Sequence, residues 1–95
     1  MNIQTNIIQD DIPIVIKLES LHNLPIIKFA DLDPEIKKQN LKCMISLEDF
    51  NDDDEVRILP CDHIFIKNNI DEWLLNNSYK CPICRKEAGE YIAKI

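Results

Sequence analysis

Two short motifs hold the residues best able to do chemistry in this 95-residue chain. The first is Cys61-Asp62-His63, and the second is Cys81-Pro82-Ile83-Cys84-Arg85. The Cys-x-x-Cys turn can direct two sulfur atoms at one ion without strain, and the Cys-x-His motif adds a third sulfur and an imidazole nitrogen. Three thiolates and one imidazole complete a tetrahedral ligand set for a structural zinc ion. The sequence therefore predicts one metal site, formed by Cys61, His63, Cys81 and Cys84.

Other interpretations of these cysteines remain open at this point. A Cys-x-x-Cys motif alone also occurs in thioredoxin-like sites. The four cysteines of the chain could form two disulfides, or could be ordinary buried side chains. The first residues lack a basic segment followed by an apolar stretch, so we expect no signal peptide and an intracellular, reducing location, either cytoplasmic or nuclear. The bias toward Ile, Asn, Lys and Asp suggests an AT-rich genome; for a viral protein this location would be the host cell.

Length and charge narrow the class of protein. A chain of 95 residues fits one domain, or one domain with an arm, and buries so little core that a metal ion would add needed folding energy. The net charge is −6, with an acidic run at residues 52–55 and no basic stripe. We therefore expect no nucleic-acid partner. The apolar runs are too short to span a bilayer, so we expect no membrane partner. The sequence does not set the oligomeric state.

Residues 1–40 are predicted to form an N-terminal arm. A strand is expected at about residues 11–19, with Ile12, Ile14, Ile16 and Leu18 on one face at a period of two. Its apolar face needs a cover, either the rest of this domain or another chain, and we expect the former. Residues 21–29 suggest an extended or turn segment.

A short helix is expected at about residues 34–40, since Asp33 suits the N-cap and Pro34 the first helical position.

The remaining chain is predicted to form a domain over residues 41–88 and a tail over 89–95. Residues 56–59 favour a hairpin strand, and residues 70–75 favour a helix capped by Asn69. We expect Glu72 to return the capping bond, and Asn76 and Asn77 to suit a left-handed end. Residues 91–95 are expected to form a short strand or a docked tail.

Several linked segments resemble the RING finger ubiquitin ligases. The similar segments are Leu41-Lys42-Cys43-Met44-Ile45-Ser46-Leu47-Glu48-Asp49-Phe50, Leu59-Pro60-Cys61-Asp62-His63-Ile64-Phe65, Ile70-Asp71-Glu72-Trp73-Leu74 and Cys81-Pro82-Ile83-Cys84-Arg85. The resemblance implies a small α+β, zinc-stabilised domain with a RING-like cross-brace. A short β-hairpin, one central helix and an N-terminal arm with a strand and a short helix complete the expected architecture.

The resemblance also implies a second set of zinc ligands, which this chain has largely lost. The family holds two zinc ions through interleaved ligand pairs, and the first set here would be Cys43, Ser46, Ile66 and Asn69. Only Cys43 is a good zinc ligand, because Ile66 has no donor atom and Ser and Asn are poor partners for this ion. We therefore predict one zinc ion per chain.

Packing and hydrogen bonds must then replace the first ion. We expect Ile66 to fill space, Ser46 to satisfy a backbone donor, and Cys43 to be a small buried apolar side chain. The alternative that Cys43 is a catalytic nucleophile lacks a neighbouring base in the sequence.

The resemblance implies a docking face for a ubiquitin-conjugating enzyme. The positions that match the family's contacts are Ile45, Trp73 and Pro82. Arg85 matches the residue that contacts both that enzyme and its ubiquitin, and is the predicted catalytic residue. The implied activity is a ligase that positions a ubiquitin thioester for transfer to a substrate lysine, with the substrate unknown. The alternative is an inactive RING-like module, used for protein interaction or as a structural unit, with a single zinc.

Overall fold

The computed structural model describes residues 12–94, which form short strands and helices joined by tight turns. None of the helices in this range is long and apolar enough to cross a lipid bilayer. In chain order the elements are β1 (Ile14–Ile16), α1 (Leu18–His22), β2 (Ile26–Lys28), a 3-10 turn (Phe29–Asp31), α2 (Pro34–Gln39), β3 (Glu55–Ile58), β4 (Ile64–Ile66), α3 (Lys67–Asn76) and β5 (Tyr91–Ala93).

An antiparallel sheet in the order β2-β3-β4 supports the central helix α3. The predicted hairpin strand is confirmed as β3, and Val56 on β3 and Phe65 on β4 are completely buried. Helix α3 follows β4 directly and buries Ile70 and Leu74 in the same core. Strand β2 lies in the range expected to be an arm or a turn, yet it pairs with β3. Strand β2 of the arm is thus part of the sheet that carries the hairpin.

The first strand is shorter than the sequence predicts. We expected a strand at about residues 11–19, but β1 covers Ile14–Ile16, while residue 11 lies outside the described residues. The predicted apolar face is also wrong: Val15 and Ile16 are both buried, whereas Leu18 is 56% exposed. The chain leaves the strand at Lys17 and enters helix α1, so tertiary packing overrides the period of two.

Strand β1 pairs with β5 in a separate antiparallel ribbon. The short strand expected in the tail is therefore confirmed as β5. The ribbon packs against helix α3, so the domain itself covers Val15 and Ile16, whereas Ile12, Ile14 and Leu18 of the expected face stay exposed.

The short helix α2 begins as predicted. The side chain of Asp33 accepts a hydrogen bond from the Glu35 N–H at 2.8 Å, and Pro34 occupies the first turn. After the helix, Asn40 is buried and its amide nitrogen donates to the carbonyls of Ile36 at 2.8 Å and Asp62 at 3.3 Å. Asn40 therefore connects the arm to the loop that carries the first metal-binding motif.

The capping prediction for the central helix is wrong at both ends. The helix begins at Lys67, two residues before Asn69, and its N-cap Ile66 makes no side-chain capping bond. The reason is that α3 starts immediately after β4, so Asn69 already lies within the first turn. At the other end Asn77 has φ −119°, a right-handed conformation. No left-handed asparagine ends the helix.

A buried ion pair ties the sheet to this helix, and the sequence did not indicate it. Arg57 on β3 is only 3% exposed, and its guanidinium donates to both carboxylate oxygens of Asp71 on α3. Lys67 donates to the same carboxylate at 2.8 Å, and Arg57 also donates to the Leu24 carbonyl at 2.8 Å. The pKa of Asp71 is lowered, because these two cations outweigh the opposing effect of burial.

Candidate metal centre

The structure brings the four predicted metal ligands together. The donor atoms of Cys61, His63, Cys81 and Cys84 all lie within 4.8 Å of one another. The His63 Nδ1 atom is 3.3 Å from the Cys61 sulfur and 3.4 Å from the Cys81 sulfur. Zinc–thiolate bonds of about 2.3 Å give a tetrahedron with edges of about 3.8 Å, so these separations fit one ion. The set of three sulfurs and one ring nitrogen is also the chemistry that zinc prefers.

Two tight turns aim these ligands. In the first, Asp62 between the ligands has φ 69°, and its N–H donates to the Leu59 carbonyl at 2.8 Å. In the second, Arg85 has φ 66°, and its backbone N–H donates to the Cys81 carbonyl at 2.9 Å. The Cys81 N–H donates to the Lys86 carbonyl at 2.8 Å. Residues 81–85, called the second knuckle below, thus hold Cys81 and Cys84 on the same side of the turn.

The electrostatics of the second knuckle call for a positive charge. Burial is the main cause that raises the pKa of Cys81 to about 12, and the neighbouring Cys61 sulfur adds to it. The pKa of Cys84 is lowered, chiefly by the backbone N–H of Lys86. A thiolate at the buried Cys81 therefore needs a compensating cation, which a zinc ion would supply.

The first predicted ligand set is also assembled, but without metal chemistry. Cys43 is completely buried, and the Asn69 amide nitrogen lies 3.9 Å from its sulfur. Burial raises the pKa of Cys43, but the backbone N–H groups of Ser46, Ile66 and Ile45 lower it further, so the net pKa is lowered. Within residues 12–94, no second group of three or more His, Cys, Asp or Glu side chains lies close enough together to hold one metal ion.

The expectation for Ser46 is wrong. Its hydroxyl oxygen is buried and has no hydrogen-bond partner of normal geometry in the described part of the chain, although it lies close enough to Cys43 to help lower that pKa. The turn in residues 43–47, called the first knuckle below, is instead closed by its backbone. The Leu47 N–H donates to the Cys43 carbonyl at 2.7 Å, and the Cys43 N–H donates to the Glu48 carbonyl at 2.9 Å. Backbone bonds satisfy this turn without the serine.

The residues implied in docking are each partly accessible. Ile45, Trp73 and Pro82 are half-buried, and the first two pack against the hydrophobic core. The Trp73 indole N–H donates to the Lys80 carbonyl at 2.9 Å, which fixes the ring against the segment leading into the second knuckle. Arg85 is exposed. The three positions implied in docking therefore present only part of their side chains to solvent.

Sequence reasoning missed a set of exposed apolar side chains around the two knuckles. Leu41, Met44, Leu47 and Ile83 are 75%, 51%, 64% and 43% exposed. Together with His63 they line a shallow groove of about 500 Å³. The signal in the sequence was the run of apolar residues around Cys43, in which Met44 interrupts an otherwise alternating pattern at Leu41, Cys43, Ile45 and Leu47.

The chain matches a known protein family over this region. The family model described as "Ring finger domain" matches residues 41–85. The E3 ubiquitin-protein ligase Godzilla of Drosophila melanogaster is 39% identical over 67 residues, covering 70% of this chain and 12% of that protein. The probable E3 ubiquitin-protein ligase RHA1A of Arabidopsis thaliana is 42% identical over 66 residues, covering 65% of this chain and 38% of that protein.

A solved structure agrees with the fold. The crystal structure of the RING-H2 domain of Arabidopsis RMR1 matches with a TM-score of 0.66 and 31% identity, covering 77% of this chain and 95% of that chain. The match extends over almost all of a RING-H2 domain, although the chain spans much less than two thirds of the named ligases quoted above. On its fold, its Cys/His cluster and these matches, the chain belongs to the RING finger family.

Proposed function

We propose that this chain is a RING-type ubiquitin-protein ligase module that holds one zinc ion. It binds a ubiquitin-conjugating enzyme and orients the ubiquitin thioester toward the lysine of a protein substrate. The observation that carries the proposal is the first knuckle, which keeps its turn and presents Ile45 although its ligand set is lost. Metal chemistry does not account for Ile45 at this place, and the part of its side chain that the core leaves uncovered is available for docking.

The zinc ion has a structural role in this proposal. It would hold Cys61, His63, Cys81 and Cys84 together, and thereby fix Pro82 and Arg85 in the second knuckle. The chain itself forms no covalent bond with ubiquitin, and it accelerates transfer by restricting the bound conjugate to a reactive orientation. Arg85, exposed beside the last ligand, is the residue proposed to contact ubiquitin in that arrangement.

Aromatic and aliphatic anchors supply the binding energy. Trp73 is held in place by its bond to Lys80, so little side-chain freedom is lost when a partner covers the ring. The half-buried Ile45 and the exposed Met44, Leu47 and Ile83 surround the knuckles with apolar area. Interfaces concentrate their binding energy in such anchors when polar residues surround them.

An ordered acidic loop adds charge complementarity. The Asp54 side chain accepts a hydrogen bond from the Asn51 N–H at 2.8 Å, while Asp52 and Asp53 are exposed. The Asp52 carbonyl accepts a hydrogen bond from the Ala30 N–H, and the Asp54 carbonyl accepts one from the Phe29 N–H. These bonds attach the loop to the arm. A fixed negative loop would steer a basic surface of the conjugating enzyme toward the knuckles.

The test is ubiquitin transfer with purified components. We expect the zinc-loaded chain to stimulate discharge of ubiquitin from a conjugating enzyme, and Ile45→Ala and Trp73→Ala to weaken enzyme binding by about 1–2 kcal/mol with zinc still bound. Ile26→Ala on β2 is a matched control, because Ile26 is 45% exposed and distant in sequence from both knuckles.

Arg85→Ala separates docking from activation. It should leave binding of the free conjugating enzyme almost unchanged, but slow discharge of its ubiquitin, because Arg85 acts only once ubiquitin is attached. A chain that binds the enzyme without stimulating discharge would instead be the inactive interaction module, which the lack of good zinc ligands at Ser46, Ile66 and Asn69 favours. A chain that binds no conjugating enzyme would refute both docking and ligase activity.

A further inference from the structure

Strand β5 leaves an apolar sheet edge exposed. Its three residues are all exposed, and Tyr91 and Ile92 are 54% and 52% accessible. Within residues 12–94, β1 is the only strand that pairs with β5, so the opposite edge has no strand partner there. Exposed apolar edges readily pair with another strand, and this one carries neither proline nor lysine within its three residues.

The hydrogen-bonding pattern shows which backbone groups face outward. The backbone N–H of Lys17 donates to the Glu90 carbonyl at 2.9 Å, and the backbone N–H of Lys94 donates to the Pro13 carbonyl at 2.9 Å. Bonding alternates along an antiparallel strand, so the backbone groups of Glu90, Ile92 and Lys94 face β1, and those of Tyr91 and Ala93 face away. The outer edge of β5 thus offers two N–H groups and two carbonyls in register.

The outer edge of β1 is different, since the Ile14 carbonyl already accepts a hydrogen bond from the Tyr79 N–H at 3.1 Å. The edge available for pairing is therefore that of β5.

The residues around this edge are complementary to themselves. An antiparallel copy centred on Ile92 places Tyr91 opposite Ala93 of the second copy, and the outward groups of both residues then form four hydrogen bonds. The same register places Glu90 of each copy opposite Lys94 of the other copy, which gives two pairs of opposite charge. A parallel arrangement would instead place Glu90 beside Glu90, so the charges select the antiparallel one.

The neighbouring side chains can accommodate this pairing. Glu90 and Ile92 lie on the face that carries Lys17, whose Nζ is 3.7 Å from the Glu90 carboxylate, and both of these side chains are well exposed. Ile92 would meet Ile92 of the second copy in a closely spaced pair that is not hydrogen-bonded. Lys94 also contacts the exposed Asn76 side chain, a surface contact that a lysine can exchange at little cost.

We propose that two copies of this chain associate through β5, which joins the two β1–β5 ribbons into one four-stranded antiparallel sheet. The partner is a second copy because the edge satisfies its own charges and its own hydrogen bonds in one register. Each edge is short, so the dimer is weak and depends on protein concentration. The association places two RING modules on one sheet, and it does not require the proposed ligase activity.

Sedimentation analysis of the zinc-loaded chain up to about 1 mM tests the proposal, because a weak dimer lies in this range of affinity. We expect a monomer–dimer equilibrium. Ala93→Pro should abolish it, because proline removes an N–H that faces the second copy and leaves the bonds to β1 intact. Ala93→Ser keeps that N–H and should leave the equilibrium unchanged. Zinc content and circular dichroism of each variant establish that it is folded.

Charge exchange gives an independent second test. Glu90→Lys and Lys94→Glu should each weaken self-association about tenfold or more, since two attractive pairs become repulsive. An equimolar mixture of the two variants should recover a heterodimer, because each lysine pair then faces a glutamate pair. A chain that stays monomeric over the whole range overturns the proposal, as does a dimer that resists Ala93→Pro. Dimers that form only after removal of residues 1–10 would show that this segment covers the edge, and would overturn it as well.

Discussion

Leu47 and Arg85 occupy equivalent positions in the two knuckles. Leu47 has φ 63° and donates its N–H to the carbonyl of Cys43, and Arg85 has φ 66° and donates to the carbonyl of Cys81. The turn thus has the same backbone in the knuckle that has zinc ligands and in the one that has lost them. Backbone bonds and the buried Cys43 hold the first knuckle in this shape without a complete set of zinc ligands.

Mutation of the cysteines should distinguish the two knuckles. We expect Cys81→Ser to lose the metal, and Cys43→Ser to keep one zinc per chain at a cost of roughly 1–3 kcal/mol, as for other buried changes that add polarity. Elemental analysis of both variants measures this, and native mass spectrometry gives the stoichiometry of the unmodified chain. Two zinc ions per chain, or equal loss of zinc from both variants, would make Cys43 a ligand.

Chelation should unfold residues 61–85, because the ion replaces core that this chain lacks.

The metal site was the most predictable feature of the molecule. The spacing within Cys61-Asp62-His63 and Cys81-Pro82-Ile83-Cys84 limits how these side chains can be arranged, and the structure groups them as expected. The start of α2 at Asp33 and Pro34 was predictable for a similar reason, since a capping bond depends only on neighbouring residues.

Features decided by tertiary contacts were not predictable. The adjacent burial of Val15 and Ile16 follows from the position of β1 between β5 and α3, which no local period encodes. Asn69 looked like a cap, but the direct junction of β4 and α3 placed it against Cys43 instead. The pairing of Arg57 with Asp71 joins residues on two different elements, and a charge pattern along the chain does not show it.

Removal of the Asp71 charge should destabilise the domain at neutral pH. Asp71→Asn leaves the guanidinium of Arg57 buried without its counter-ion, and we expect a loss of about 3 kcal/mol in the free energy of unfolding. Chemical denaturation at neutral pH measures this loss. Glu72→Gln is the matched control, since Glu72 is the next residue on α3 and is exposed. An equal effect of both substitutions would mean that the buried pair contributes nothing specific.

The same pair predicts a pH dependence with a definite sign. The folded pKa of Asp71 lies below its ordinary value, so its contribution to stability is complete above about pH 4 and is lost as the pH falls through the folded pKa. The difference in unfolding free energy between the unmodified chain and Asp71→Asn should therefore shrink in acid. Acid would also release the metal ion, but it would do so in both chains, so the difference between their unfolding free energies is free of that effect. A difference that grows in acid would contradict the assignment.

Gly89 should be required for the arm to dock. A Cβ atom at Gly89 would lie 2.7 Å from the Ser20 Cβ and 3.2 Å from the Ile16 Cδ1, although its backbone does not need a positive φ. Gly89→Ala should push helix α1 away, at a cost of about 1–3 kcal/mol. Hydrogen exchange at Lys17 and Lys94, whose N–H groups bond across the ribbon, should then speed up while zinc stays bound.

A second substitution identifies the cause of that effect. Ser20→Gly together with Gly89→Ala should restore slow exchange, whereas Ser20→Ala with Gly89→Ala should not, because the Cβ of residue 20 is the atom in conflict. Slow exchange in the single Gly89→Ala variant would show that the arm can shift without detaching.

The backbone conformation and the exposure of Leu47 both oppose an ordinary structural role. A leucine at φ 63° is strained, and its side chain is 64% exposed, so it adds little to the core. Leu47→Gly should therefore raise the free energy of unfolding by about 0.5–1 kcal/mol, measured by thermal and chemical denaturation. Leu47→Asn should act in the same direction, since asparagine also tolerates the left-handed region.

Binding should respond in the opposite sense. If Leu47 is part of the docking surface, both variants weaken the affinity for the conjugating enzyme by about 1 kcal/mol, because an exposed apolar contact is removed while the knuckle keeps its shape. Titration calorimetry with the zinc-loaded variants measures this loss. If Leu47 lowers the free energy of unfolding but raises the affinity for the conjugating enzyme, the gain in affinity explains why leucine occupies this strained position. Unchanged affinity in a stabilised variant would exclude Leu47 from the interface and confine docking to Ile45, Trp73 and the second knuckle.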